Sequence, residues 1–208
     1  MHPTLRVIRD EHGALSAVLR SISLLLSESR RRGIHPDFTV LRAMLFYIDE
    51  FPEKIHHTKE SELLFPKIRE KSDESRAVLD RLDADHVRSH RAVRELEHEL
   101  LALEMMSDAA DAESRREHFE AEMHGYVTAY LEHIRVEEVE VLPLAERVLD
   151  PDDWAELDAA FMKNRDPLTH READDAFRPL FKRILTTLPA PLGLGSAMSA
   201  LDSAYKRT

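Results

Sequence analysis

The chain has 208 residues, 43% apolar and 33% charged, with 29 Lys and Arg against 40 Asp and Glu. That is enough apolar material for one generous domain, and a net charge of -11 argues against nucleic-acid backbones as partners. Cysteine is absent, which removes disulfides, iron–sulfur clusters, thiolate zinc sites and a cysteine nucleophile. No run approaches the ~18 apolar residues of a membrane span, and "MHPTLRVIRDEHG" lacks a signal peptide's apolar core, so a cytoplasmic protein is expected.

Scarce glycine (5 residues) and abundant Ala, Leu, Glu and Arg predict an all-α fold. The first helix should run from about Pro3 to Arg32 and stop at Gly33, with Ile8, Leu15, Leu19, Ile22 and Leu26 as its apolar stripe. His12 stands seven residues before Leu19 and shares that seam. The second segment should begin at an Asp37 N-cap and continue through Leu45 and Ile48 into "KIHHTKESELLFP", kinked or unwound at Pro52. At ~100° per residue, His56 and Glu60 fall on its buried face.

A third helix, from about Asp73 to Met106, repeats Leu79, Val93 and Leu100 at heptad spacing, with His86 in the missing place and His90 one turn later. The fourth, from about Asp111 or Ser114 to Val148, reads Phe119, Met123, Tyr126, Tyr130, His133, Glu137, Leu144 and Val148, an apolar seam interrupted by a histidine and a carboxylate. Beyond Pro151 come a short helix around "DDWAELDAAF", where Trp154 should anchor to the bundle, a second around "EADDAFRPLFKRILTTL", and a tail.

The second and fourth segments share the pattern H-x3-E-x5-P (His56, Glu60, Pro66; His133, Glu137, Pro143), while His12 and His86 each end an acidic tripeptide, "DEH" and "ADH". Two similar hairpins around a common centre follow. That centre would bury five imidazoles and two carboxylates with no inward Lys or Arg to balance them, an arrangement that costs several kcal/mol per charge unless cations lie between them. Seven ligands are too many for one ion and suit two; His and carboxylate donors suit iron, manganese or zinc.

The stretches "RDEHGAL", "IHHTKESELLFP", "DADHVRSHRAV" and "YLEHIRVEEVEVLP", in that order over about residues 5–148, resemble the hemerythrin-like, or HHE cation-binding, family of non-haem di-iron proteins. The resemblance implies an up-down-up-down four-helix bundle over 1–150, followed by a C-terminal helical extension over 151–208 that packs on the bundle or on a neighbouring subunit. It implies two Fe ions in an oxo- or hydroxo-bridged di-iron centre, with His86, His90 and His133 on one iron, His12 and His56 on the other, and Glu60 and Glu137 bridging. The oxygen carriers of the family place an Asp five residues after the last histidine. Here Glu137 stands at four and Glu138 at five; Glu137 is favoured because bacterial-type members use a Glu and position 138 turns ~100° away.

The function implied is binding of O2 or a related diatomic ligand for sensing, storage or delivery. The alternatives are an enzyme that reduces NO or peroxide or oxidises iron, and an iron-handling or stress-repair role. A binding or sensing role is expected ahead of turnover, since five imidazoles differ from the carboxylate-rich di-iron oxygenases. His57 is expected to support its neighbour, the remaining histidines to lie at the surface, and Tyr126 and Tyr130 to pack or to donate a hydrogen bond at the site. The acidic surface and long C-terminal segment suggest a homodimer.

Overall fold

Pro3 opens and Gly33 closes helix α1 (Pro3–Arg32). Pro suits the first turn because its missing N–H has no intrahelical partner there. Gly33 adopts a left-handed φ of 64°, which lets its N–H reach back to Arg30, while Ile34 N–H bonds Ser29. Asp37 caps α2 (Phe38–Ile48) by accepting from Val40 N–H at 3.0 Å. The computed structural model describes residues 2–164, 166, 168, 169, 184 and 186, and no strand occurs among them.

After α2 the helix widens. Among the described residues three π segments interrupt the regular turns: π1 (Asp49–His56), π2 (Glu60–Leu64) and π3 (Glu137–Val141), each closed by an N–H reaching five residues back. Short α turns surround them: α3 (His57–Lys59) and α4 (Phe65–Lys71), and, after α5 (Arg76–Met105) and α6 (Ala112–Val136), α7 (Leu142–Val148). Proline accounts for the wide turns. Pro52 lies within π1, and Pro66 and Pro143 follow just after π2 and π3; lacking an N–H and crowding the carbonyl four residues back, each disfavours a regular α turn. The kink expected at Pro52 therefore takes the form of a π turn, and the H-x3-E-x5-P repeat becomes a structural repeat, with Glu60 and Glu137 each opening a π turn.

The long segments pair in reverse order. His12 meets Glu138 while Arg30 meets Glu113 and Glu120, so α1 and α6 run antiparallel. Arg42 with Glu104, Ser61 with His86 and Arg69 with Asp80 set the second segment against α5, and Glu99 with His118 and His86 with His133 set α5 against α6.

Among the described residues two apolar clusters fill the interior. One contains Leu15, Ile22, Met44, Val93 and Phe119; the other contains Leu5, Phe65, Leu79, Leu142 and Phe161. The buried histidines and glutamates of the first three segments lie between the two clusters in sequence, and His133 and Glu137 flank the changeover at Ile134 and Val136 on the fourth, which makes them a single layer across the bundle. Helix α8 (Pro151–Phe161) begins with a capping box in which Asp150 and Asp153 exchange backbone bonds. It docks through Thr4, whose N–H and hydroxyl both donate to Asp158, through Lys67 to Asp153 and Glu156, and through the buried Trp154, stacked on His2 at 4.1 Å. The second helix expected after α8, and the tail, lie outside the described residues except for Ile184 and Thr186.

Candidate metal centre

Two groups of potential ligands form within the polar layer. His12, His56, Glu60 and Glu137 make one; His57, Glu60, His86 and His133 make the other, with ligand atoms within 4.8 Å of one another in each and all of these residues buried. Glu60 belongs to both. Glu137 also reaches across, its Oε2 lying 3.2 Å from His12 Nε2 and 3.5 Å from His133 Nε2.

The outer nitrogens explain how the rings are oriented. Nδ1 of His12 faces Glu138 at 3.1 Å, that of His56 faces Glu11 at 2.7 Å and that of His57 faces Glu53 at 3.1 Å. Ser61 donates to Asp83 and so accepts from His86 Nδ1 at 2.9 Å, and His133 Nδ1 stands 3.7 Å from Asp85. On His12, His56, His57 and His86 a carboxylate or hydroxyl on the outside favours the proton on Nδ1 and turns the Nε2 lone pair inward, whereas His133 Nδ1 has no hydrogen bond among the described residues.

Inward-facing lone pairs then meet one another. His12 and His56 bring their Nε2 atoms to 3.2 Å, and His86 and His133 bring theirs to 3.1 Å. Two nitrogen ligands ~2.1 Å from one ion at roughly a right angle stand about 3 Å apart. Both oxygens of Glu60 and of Glu137 are buried and lack a well-formed hydrogen bond, although imidazole nitrogens lie 3.0 Å and 3.2 Å away. Converging lone pairs and unsatisfied carboxylates fit a pair of cations.

Without cations the layer must divide protons unevenly. Burial, reinforced by the Glu137 charge, raises the Glu60 carboxyl to about 7. Burial also pushes Glu137 up, but the neighbouring His12 and His133 rings outweigh it and hold that carboxyl below the ordinary range. Burial opposes protonation of His56, yet the charges of Glu60 and Glu11 prevail and raise it. His57, His86 and His133 are all lowered, chiefly by burial.

Of the seven ligands expected from sequence, six come together here: His12, His56, Glu60, His86, His133 and Glu137. His90 does not. Its side chain is 42% exposed and its Nε2 lies 3.7 Å from Asp49 on the rim. Because α5 is regular, His90 stands ~6 Å further along the axis than His86, above the polar layer. His57 takes the vacant place, 4% exposed and stacked on His86 at 3.9 Å. The π turn before it explains the difference. An i→i+5 turn holds more residues than an α turn, so the helix loses phase and two consecutive histidines both face inward. Glu138 sits outside, behind His12, while Glu137 is fully buried.

Four supporting residues escaped the sequence reading. Glu11 and Asp85 were visible only as members of "DEH" and "ADH", and Glu53 and Asn164 gave no signal. Asn164, just past α8, donates to both oxygens of Glu11 at 3.0 Å, and Lys59 donates to the Asn164 carbonyl. Tyr130 donates to His57 Nε2 at 3.0 Å, and Tyr126 to Glu53 at 3.1 Å.

A family model described as the hemerythrin HHE cation-binding domain matches residues 4–145. The chain belongs to the hemerythrin HHE family. The match covers the whole histidine–carboxylate layer and ends before α8, so Asn164 lies beyond the HHE domain although it braces that domain's His56. Comparison with curated proteins and with solved structures gave no match. No helix among the described residues is long and apolar enough to cross a membrane.

Proposed function

We propose that this HHE domain holds two iron ions bridged by Glu60 and Glu137, with His57, His86 and His133 on one and His12 and His56 on the other. The centre binds O2 or a related diatomic ligand, for sensing, storage or delivery. The observation that carries this reading is that one carboxylate, Glu60, belongs to both ligand groups.

With two imidazoles against three, the His12/His56 side would be the one left short of a protein donor if both ions were bound. A pocket of about 10 Å³ adjoins it, walled largely by Leu15, Phe51, Pro52 and Ile55, with room for a water-sized ligand and little more. Iron supplies the electron exchange that O2 binding requires. The chain's own residues exclude water on this side, hold the rings in one tautomer and balance the charge.

A second reading, a sensor that oxidises promptly or a reductase of NO or peroxide, is favoured by the hydroxyls on the other side. Tyr130, Tyr126 and Ser89 line a wider cavity that reaches His57 and His133. Ligation through His57 Nε2 would free the Tyr130 hydroxyl to donate a proton or a hydrogen bond.

The test is the visible spectrum of iron-loaded protein, reduced anaerobically and then exposed to O2. An oxygenated spectrum that reverses under vacuum supports the binding protein, and prompt irreversible oxidation supports the second reading. A spectrum unaffected by O2 would contradict both.

A further inference from the structure

Between α5 and α6 lies a cavity of about 360 Å³ that the diatomic reading leaves unexplained. Its volume falls within the range of organic-ligand pockets, roughly 300–1,000 Å³, and is about ten times the liquid volume of one water. On α5 the lining extends from Asp85 to Glu99, or about 20 Å of helix at ~1.5 Å per residue. His57 and His133 wall one end, Tyr126 and Tyr130 the middle, and Glu99 and Glu122 the other end.

Gly125 helps keep this space open. A Cβ at that position would meet nothing within 4 Å, so no neighbouring group forbids a larger residue. Glycine inside a helix costs about 1 kcal/mol relative to alanine, and stability alone would not place it in the middle of α6.

The wall has a definite chemistry. The Tyr126 and Tyr130 rings meet edge to face with centroids 5.5 Å apart, a surface suited to a further aromatic ring. At the outer end the charge is negative. Arg88 is engaged by Asp85 at the inner end, beside His133; at the outer end Glu122 has no ion pair among the described residues, and Glu99, whose Oε1 lies 3.4 Å from His118 Nε2, keeps an Oε2 that accepts no hydrogen bond among them. Glu122 stands one helical turn, ~6 Å along α6, from Tyr126. That is the reach of a two-carbon arm ending in an ammonium group.

We propose that the α5/α6 cavity binds a small aromatic amine, its ring against Tyr126 and Tyr130 and its ammonium at Glu99 and Glu122. The site goes beyond the diatomic reading and does not require the metal ions, since none of its recognition groups is a candidate ligand.

Isothermal titration of metal-free and metal-loaded protein with tryptamine, tryptophol and indole-3-acetate separates ring from charge. Tryptamine should bind at one per chain to both forms, more tightly than tryptophol and about tenfold or more tighter than indole-3-acetate, with added salt narrowing the difference. Gly125→Leu should fill the cavity and weaken tryptamine about tenfold or more at unchanged helix content. Glu99→Gln combined with Glu122→Gln should remove the preference for the amine while the ring still binds. Failure of tryptamine to bind either form, equal affinity for all three compounds, or undiminished binding by a folded Gly125→Leu protein overturns the proposal.

Discussion

Asn164 donates from a single amide nitrogen to both carboxylate oxygens of Glu11, 153 residues earlier in the chain, and Glu11 in turn accepts from His56 Nδ1 at 2.7 Å. The segment after α8 thus helps fix the orientation of a candidate ligand. Residues that hold a ligating histidine from behind typically change metal affinity about 10- to 100-fold when removed. Asn164→Ala should therefore weaken retention of the ion on the His12/His56 side by that order, as read by competition with a chelator, without loss of fold. Unchanged affinity would mean that Glu11 holds His56 unaided.

Histidine 57 against histidine 90 is the sharpest contrast between sequence and structure. His57→Ala should cost one metal equivalent per chain, whereas His90→Ala should leave both, by elemental analysis after reconstitution. The opposite pattern would restore the ligand set implied by the family resemblance.

Glu60 carries a buried charge that only cations or neighbouring imidazoles relieve. In metal-free protein near pH 8, Glu60→Gln should raise stability, on the order of 1–3 kcal/mol, because removing an uncompensated buried carboxylate outweighs the lost attraction to His56. The same variant should lose the rise in melting temperature that metal gives the wild type. Calorimetry with and without metal checks both parts.

Asp166 tests how the extension docks. Burial, with Glu11 nearby, raises its carboxyl from the ordinary 3.8 to about 6, although Tyr47 donates to it at 2.7 Å. Between those values the folded chain holds a proton that the unfolded chain has released. Its contribution to stability is therefore full below about pH 4 and declines as pH rises through 6, by on the order of 3 kcal/mol. Asp166→Asn should flatten that part of the stability profile in denaturant titrations from pH 4 to 7; an unchanged slope would locate the titration elsewhere.

Much of the bundle could be read from spacing. Pro3, Gly33 and Asp37 mark helix ends by local backbone chemistry that needs no tertiary context, and the seam from Phe119 to Val148 announced its interruption at His133 and Glu137. His56 and Glu60 were placed on the buried face by helical phase, and the H-x3-E-x5-P repeat pointed to the same pair. His57 was missed because a constant ~100° per residue cannot anticipate a π turn, even with Pro52 in plain view. Asn164 was missed because a contact across 153 residues leaves no trace in local periodicity.

The most direct measurement is a titration of Fe(II) into chelator-stripped protein under anaerobic conditions, followed by iron analysis after desalting. Two equivalents retained per chain are expected, falling to one in His57→Ala. One equivalent or none in the wild type would contradict a dinuclear centre, and none would leave the buried carboxylates of Glu60 and Glu137 to be balanced by protonated His12 and His56 alone.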